Sequence, residues 1–308
     1  MVTFAEDAST PPKVLSMYLF VDSMQRWAPA GSPSASDAPA TELQLITWNI
    51  NAGASRVEQR FTRTMQYLRK VVLGDALTPP PCCILLQEVH EDVLPTVLES
   101  GWIRQNFLVT PISTDDWIIP YGIITLVSKS VPVTTVFTIE LPMTTVGRQA
   151  LFVDVHLSAP PPKTRKEEPD TRIRTIRIAN THLEPGVSGA RLRPRQLKQI
   201  ARMLNVPNLD ACICAGSMWS VQDSDKTAPS EAGFADACRS LKQEFMTWGY
   251  QPPTKQPPAR LDKILFFPME KVEIDCPTRI GHRTRMSSGG YLSDHCGLST
   301  VVKILREH

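Results

Sequence analysis

The stretch LQLITWNIN (43–51) decides the fold class. Its first five residues form a short apolar run typical of a strand buried on both faces of a sheet, and CCILLQ (82–87) is a second such run. Between them, apolar residues recur at a spacing of three or four and predict an amphipathic helix. These residues are Val57, Phe61, Met65, Leu68 and Val72. The sequence therefore opens with a strand–helix–strand unit.

The rest of the chain continues this alternation with more strands. Seven further runs are strand candidates, namely residues 122–128, 134–139, 151–157, 173–181, 211–215, 263–267 and 298–304. A second helix is predicted from about Arg193, and its buried face would hold Leu197, Ile200, Ala201 and Leu204. The pattern predicts one α/β domain.

The N-terminal part of the chain differs in composition from this domain. Residues 28–41, APAGSPSASDAPAT, are small residues, Pro and Ser, which are typical of a flexible linker. We therefore assign residues 1–41 to an N-terminal segment with a linker, and residues 42–308 to the domain. Upstream, MYLF (17–20) and Trp27 are too apolar for a purely disordered tail, so we expect them to pack onto the domain. Residues 160–172, rich in Pro and charge, are predicted to form a surface loop.

Composition indicates more about the cellular location of the protein than about its substrate. The net charge of +2 is too small to indicate a nucleic-acid binder by itself. The N-terminus lacks the features of a secretory signal, and no run approaches the roughly 18 apolar residues of a membrane span. We expect an intracellular protein of the nucleus or cytoplasm, without a membrane partner. The seven cysteines contain no CxxC pair, and those in apolar runs, Cys82, Cys83, Cys212 and Cys214, are predicted to be reduced core residues.

Several of the apolar strands end in polar side chains, which is where α/β scaffolds expose chemistry. In WNIN, alternation along an extended chain puts Asn49 and Asn51 on the same side. Glu88 ends the apolar run LLQEV, and a carboxylate buried there needs a cation, a hydrogen bond or water. Taken singly, each of these residues is as well explained as a cap or a turn residue.

Three later strand ends carry histidine or aspartate. His182 lies in NTHLE, Asp262 opens a strand in RLDKI, and Asp294 and His295 are adjacent in SDH. A lone histidine at a strand end is more often structural than catalytic. In an extended conformation Asp294 and His295 face opposite ways, so each needs its own partner.

Together these residues predict a phosphate-processing site. Glu88, Asp294 and Asn49 offer the oxygen ligands that suit Mg²⁺, with Mn²⁺ as a second choice. His295 oriented by Asp262 can bind a phosphate or hold an imidazolium against developing charge. We therefore expect hydrolysis of a phosphodiester or phosphomonoester.

The motifs WNIN, LQEV, NTHLE, RLDKI and SDH, in this order, resemble those of the endonuclease/exonuclease/phosphatase superfamily. Within it, TWNI, the segment Thr181-His182-Leu183-Glu184 and the helix start Arg193-x-x-Gln196-Leu197 are most similar to tyrosyl-DNA phosphodiesterases of the second type. The Trp-containing preface is similar to that of fungal relatives. The resemblance implies a deoxyribonuclease I-like fold, a two-sheet α/β sandwich flanked by helices, with the site at one edge of the paired sheets.

The resemblance also implies roles for individual residues. Asn49, Asn51 and Glu88 match metal-site positions, and Asp294 matches a carboxylate that supports the metal or its water. His295 matches the histidine that contacts the scissile phosphate, Asp262 matches its orienting carboxylate, and His182 matches a position lining the substrate groove. Because the family often has Asp where this chain has Asn51, the metal site has lost a negative charge.

The chain departs from the family at the water-activating motif Gly-Asp-x-Asn. Here the sequence is Gly216-Ser217-Met218-Trp219, so Ser217 and Trp219 replace the catalytic Asp and Asn. Serine is not a base near neutral pH, and loss of a positioned general base typically costs about 10²–10⁴ in rate. An indole in place of Asn should also crowd the phosphate pocket. We therefore expect a Mg²⁺-dependent phosphodiester hydrolase with impaired catalysis.

The sequence leaves three outcomes open. In the first, the protein retains slow hydrolysis through another group, and Asp223 or Asp225 is nearest along the chain. In the second, it is an inactive homologue that binds nucleic acid or a protein partner. In the third, it is an interaction module with Trp219 as an exposed aromatic anchor. The substrate, DNA or another phosphodiester, and the oligomeric state are not decided. Candidate phosphate contacts are Arg148, His182, Arg191, Arg193 and Arg195.

Overall fold

Two mixed β-sheets flanked by helices form the fold in the computed structural model, which describes residues 11–33, 39–162, 170–238 and 245–306. In chain order the strands are β1 (Lys13–Val14), β2 (Tyr18–Val21), β3 (Arg26–Pro29), β4 (Glu42–Asn49), β5 (Cys82–His90), β6 (Phe107–Thr110), β7 (Tyr121–Ser128), β8 (Val133–Glu140), β9 (Gln149–Ser158), β10 (Ile173–His182), β11 (Ala211–Ser217), β12 (Ala235–Asp236), β13 (Asp262–Phe266), β14 (Val272–Ile274), β15 (Thr278–Ile280) and β16 (Gly297–Ile304). The helices are α1 (Val57–Tyr67), α2 (Val93–Glu99), α3 (Gly101–Asn106), α4 (Arg193–Leu204) and α5 (Asp223–Glu231).

The first sheet has the strand order β1-β8-β9-β10-β11-β13-β12. The second has the order β14-β16-β4-β5-β7-β6-β2-β3, and β15 pairs with β16. Each sheet contains a parallel pair joined by a helix, β4-α1-β5 in one and β10-α4-β11 in the other. The prediction of a two-sheet α/β sandwich flanked by helices is confirmed.

The core consists of one layer between the sheets and two layers under the helices. Along β4, Leu45 faces the layer between the sheets, whereas Ile46 and Trp48 face the layer under α1 to α3. This explains why the opening strand is an almost unbroken apolar run. The cysteines predicted to be core residues are buried free thiols, and burial raises the pKa of Cys82 and Cys212 to about 12.

The two predicted helices are present. α1 ends at Tyr67 and continues as a π-helical turn, Leu68–Val72, so the predicted apolar periodicity spans both. α4 begins at Arg193 and packs its predicted apolar face against β11 and its neighbours. No described helix has both the length and the apolar character needed to cross a membrane.

The N-terminal segment contributes strands to both sheets. β1 pairs with β8, β2 pairs with β6, and Met17 and Phe20 are buried. Trp27 donates a hydrogen bond to the carbonyl of Leu98 at 3.2 Å, so the expected packing of these residues onto the domain is observed.

The predicted linker is anchored at both of its described ends. Ala30 N–H donates to the Met17 carbonyl, and Ser158 N–H donates to the Ala40 carbonyl. Residues 34–38 lie outside the described residues, as do residues 163–169 of the predicted surface loop. A domain boundary at Glu42 stays a prediction.

Candidate active site

The polar strand ends meet at one edge of the sandwich. His182, the last residue of β10, is the register partner of Ser217, the last residue of β11. Ser217 is in turn the register partner of Asp262, the first residue of β13. The structure therefore places three of the predicted site residues in one row across the first sheet.

Glu88 and Asn49 form the part of the site that lies on the second sheet. Asn49 Nδ2 donates to Glu88 Oε1 at 2.8 Å, and the backbone N–H of Ala52 donates to Glu88 Oε2 at 3.2 Å. Glu88 has a φ of 52° at a register shift between β5 and β7. Such an irregularity re-aims a side chain, and a carboxylate residue held in the left-handed region is strained, which is typical of functional sites.

Asn51 is placed differently from the prediction that it shares a side with Asn49. β4 ends at Asn49, and Asn51 has a φ of 56°, so strand alternation does not extend to it. Its Oδ1 accepts a hydrogen bond from the N–H of Gly53 at 3.0 Å. The Asn51 side chain therefore serves the turn after the strand.

Arg60 stabilises this turn, and the sequence did not identify it as a site residue. Its buried guanidinium donates to the carbonyls of Ile50, Asn51, Ala54 and Leu292, and the Nε donates to that of Ser55. Burial lowers the Arg60 pKa, while the charges of Asp294 and Glu88 favour the cation. The only signal in the sequence was an arginine within an otherwise ordinary helix.

His295 and Asp262 form the predicted pair. His295 Nδ1 lies 2.7 Å from Asp262 Oδ2, and both residues are buried. Burial disfavours the imidazolium, but the Asp262 carboxylate, aided by Asp294 and Glu88, outweighs it and raises the pKa of His295 to about 9. Asp294 Oδ2 instead accepts from Trp248 Nε1 at 3.3 Å. The adjacent Asp294 and His295 thus have separate partners, as expected.

His182 faces the site as a neutral hydrogen-bond donor. Arg148 donates to His182 Nδ1 at 2.8 Å, and because a guanidinium cannot accept, Nδ1 must be the acceptor and Nε2 must carry the proton. That Nε2 lies 3.6 Å from Glu88 Oε1. Burial, with the charges of Arg148 and His295, holds the pKa of His182 well below its usual value.

Ser217 occupies the expected aspartate position without a partner. Its side chain is fully buried, and its Oγ, together with His182 Nε2 and Asp262 Oδ1, has no hydrogen-bond partner among the described residues. Buried polar atoms left unpaired are costly, and three in one row are typical of a site built to meet a polar ligand.

Trp219 is half-buried and has a φ of 48°. Asparagine adopts this left-handed conformation readily, whereas a bulky side chain does so at a cost. The backbone at Trp219 therefore has the conformation that suits the Asn of the family motif. Crowding of the phosphate pocket by the indole stays a prediction.

Both proposed substitute bases are paired with cations in the structure. Asp225 is buried, and its carboxylate makes a bidentate ion pair with Arg193. Arg193 Nε donates to Oδ1 at 2.8 Å, and Nη2 donates to Oδ2 at 2.6 Å. It also accepts the backbone N–H groups of Val221 and Gln222 at the start of α5. The Asp223 side chain is 96% exposed and pairs with Lys226. Both carboxylates stabilise α5, and Arg193, fully engaged with Asp225, does not serve as a phosphate contact.

Comparison with known proteins gives matches in structure alone. No protein-family model and no curated protein matches the sequence. Zebrafish (D. rerio) TDP2 complexed with a single-stranded DNA product matches with a TM-score of 0.64 and 17% identity, over 85% of this chain and 99% of that one. An endonuclease/exonuclease/phosphatase family protein from Bacteroides thetaiotaomicron matches with a TM-score of 0.59 and 12% identity, over 87% and 99%.

The chain has the endonuclease/exonuclease/phosphatase fold. The human nocturnin catalytic domain with bound sulfate shares it, with a TM-score of 0.57 and 17% identity over 86% of this chain and 95% of that one. The fold expected from the five motifs is confirmed, and structures of TDP2 are among those that share it. At these identities the comparisons establish the fold and leave the chemistry to the residues of the site.

Proposed function

We propose that this chain is a Mg²⁺-dependent phosphodiester-binding protein of the phosphodiesterase type whose hydrolytic step is impaired. Its substrate class would be DNA or another phosphodiester. The observation that carries the proposal is the contact of His295 with Asp262 at 2.7 Å beside the uncharged Ser217. The phosphate-binding histidine has kept its partner, whereas the water-activating carboxylate has been replaced.

The phosphate would be held by the two histidines. His295, kept protonated by Asp262, would donate a charged hydrogen bond from Nε2 to a non-bridging oxygen. His182 carries its proton on Nε2 and would donate a neutral one, with Arg148 fixing the orientation of its ring. Both donors are buried and pre-oriented, so little reorganisation is needed on binding.

Glu88 and Asn49 fit a magnesium ion. Mg²⁺ takes a few protein oxygens and keeps several waters, so one carboxylate with an adjacent amide is a sufficient donor set. Among the described residues, no group of three or more His, Cys, Asp or Glu side chains is placed to hold a metal ion, so the proposed site rests on Glu88 and Asn49. When bound, the ion would neutralise charge on the phosphate. The other two predicted metal-site residues, Asn51 and Asp294, would support the ion or its waters.

The hydrolytic step lacks a base. Ser217 cannot deprotonate water at neutral pH, and Asp225 and Asp223 are committed to α5. The lack of an assigned base among the residues that the structure describes favours a second candidate function. In it, the protein binds a nucleic acid strand or a phosphorylated protein at this site without turnover.

Calorimetry with Mg²⁺, combined with a turnover assay, tests the proposal. The unmodified protein should bind Mg²⁺ at millimolar concentration, Glu88→Gln should weaken that binding at least tenfold, and Glu91→Gln, an exposed carboxylate nearby, should not. Substrates would be 5′-tyrosyl DNA, abasic duplex and a generic phosphodiester. Slow Mg²⁺-dependent turnover supports the first function, and binding without turnover supports the second. Equal Mg²⁺ binding by Glu88→Gln and the unmodified protein would refute the metal assignment.

A further inference from the structure

The outer face of α4 carries a row of basic side chains. Arg195, Lys198 and Arg202 are exposed along the helix, and Arg191 precedes them in the 3₁₀ turn Ser188–Arg191. The spacing of four, three and four residues places them on one side of the helix, opposite the apolar face formed by Leu197, Ile200, Ala201 and Leu204. They form a basic stripe, which runs about 10 Å from Arg195 to Arg202 at the rise of an α-helix.

Surface ion pairs with the described residues do not account for the stripe. None of its four residues belongs to a salt bridge within the described parts of the chain. Arg202 donates only to the amide oxygen of Gln199, and Arg195 contacts the sulfur of Met143. By contrast, Arg193 on the inner side of the same helix is paired with Asp225. Like charges at this spacing repel one another, so the arrangement favours an external anion.

The start of α4 is in contact with loops that belong to the candidate active site. Arg193 fixes the start of α4 by donating to the carbonyls of Glu184 and Gly186, which closely follow His182. Arg195 contacts Met143, in the same loop as the Arg148 that orients His182. These contacts connect the start of α4 to the two loops that carry His182 and Arg148.

We propose that the basic stripe binds the sugar–phosphate backbone of a single-stranded nucleic acid whose phosphodiester enters the active site. The inference rests on the proposed function, which supplies the anchored phosphate. Cations repeated at about 5–6 Å along one line match a chain with regularly repeated anions better than a single small phosphate. One line of cations also matches one backbone, whereas a duplex presents two.

Salt-dependent binding of a fluorescent oligonucleotide tests this inference. For single strands, the slope of log affinity against log salt becomes steeper by about 0.7 for each phosphate contact. Arg195→Gln with Lys198→Gln should therefore reduce the slope by about 1.4 and weaken binding at low salt at least tenfold. The matched control is Arg26→Gln with Lys70→Gln, an Arg and a Lys that are also exposed and lie on β3 and after α1. The control should keep the slope of the unmodified protein.

The outcomes separate this inference from the proposed function. If the stripe variant and the control have the same slope while the unmodified protein still binds, the stripe is not a nucleic-acid surface and the proposed function stands. If the unmodified protein binds no oligonucleotide even at low salt, the inference fails, whereas Mg²⁺ calorimetry and the generic phosphodiester still test the proposed function. If poly-glutamate of equal length competes as well as the oligonucleotide, the stripe recognises acidic chains in general, and the nucleic-acid inference is wrong.

Discussion

Ser217 lies directly opposite Asp262 on the neighbouring antiparallel strand, and Asp262 in turn holds His295. An aspartate at position 217 would place a second buried carboxylate beside Asp262. Such a pair needs a cation, because two unscreened carboxylates at close range repel and one of them gains a proton. The serine thus removes both the base and the local demand for a metal ion.

Ser217→Asp should therefore make stability depend on metal. In EDTA we expect the free energy of unfolding to fall by about 2 kcal/mol or more, since an uncompensated charge is buried. Mg²⁺ should restore part of this loss, measured by urea unfolding with and without the ion. Ser220→Asp, at the half-buried position just beyond the strand, serves as the control. Equal stability of Ser217→Asp in EDTA and in Mg²⁺ would show that no metal reaches this row.

Trp219→Asn should be more stable than Trp219→Leu by about 1 kcal/mol. Both variants remove the indole, but only asparagine is suited to the left-handed backbone with a φ of 48°. Thermal or urea unfolding of the two variants gives the comparison. If the two variants are equally stable, the backbone at this position is not held in the conformation described here.

Glu184→Gln should destabilise the protein at neutral pH and much less in acid. Burial disfavours the Glu184 carboxylate, but hydrogen bonds from Thr145, Thr144 and Gln196 outweigh it and lower its pKa below the usual 4.5. A carboxyl whose folded pKa is depressed stabilises the fold above its unfolded pKa and loses that contribution as pH falls through the folded value. We expect a loss of about 1–3 kcal/mol at pH 7. Urea unfolding across pH 3 to 7 checks this, and a constant difference would contradict it.

Removal of residues 1–41 should leave a folded but weaker domain. Met17 and Phe20 are buried, and each such side chain contributes about 1.5–3 kcal/mol when it is withdrawn from water. A chain beginning at Glu42 should therefore unfold cooperatively at a lower urea concentration. Unchanged stability would mean that β1 to β3 do not dock in solution, and failure to fold would mean that the domain does not begin at Glu42.

The alternation of apolar runs was sufficient to predict the main architecture because long, doubly buried strands and amphipathic helices have strong sequence patterns. β1 and β12 are only two residues long and acquire their structure from the strand beside them. No local sequence pattern predicts such short strands.

The candidate site was predictable where a polar residue interrupts or borders an apolar strand, as at Glu88 within β5, His182 at the end of β10 and Asp262 at the start of β13. It was not predictable where function depends on distant partners. Arg148 was named as a candidate phosphate contact, but nothing in the sequence indicated that it donates to His182, which lies 34 positions later. Arg60 binds backbone carbonyls, which side-chain identities do not reveal. Asp225 looked available as a base because its partner Arg193 lies 32 positions away.

If this chain is a phosphodiesterase scaffold disabled at one motif, restoring that motif should restore turnover. Ser217→Asp together with Trp219→Asn should raise Mg²⁺-dependent phosphodiester turnover by about 10² or more, the lower range for a recovered general base. Ser217→Asp alone should give less, and adding Glu88→Gln to the double variant should abolish the gain. If the double variant folds and binds Mg²⁺ but hydrolyses 5′-tyrosyl DNA, abasic duplex and a generic phosphodiester no faster than the unmodified protein, the claim is contradicted.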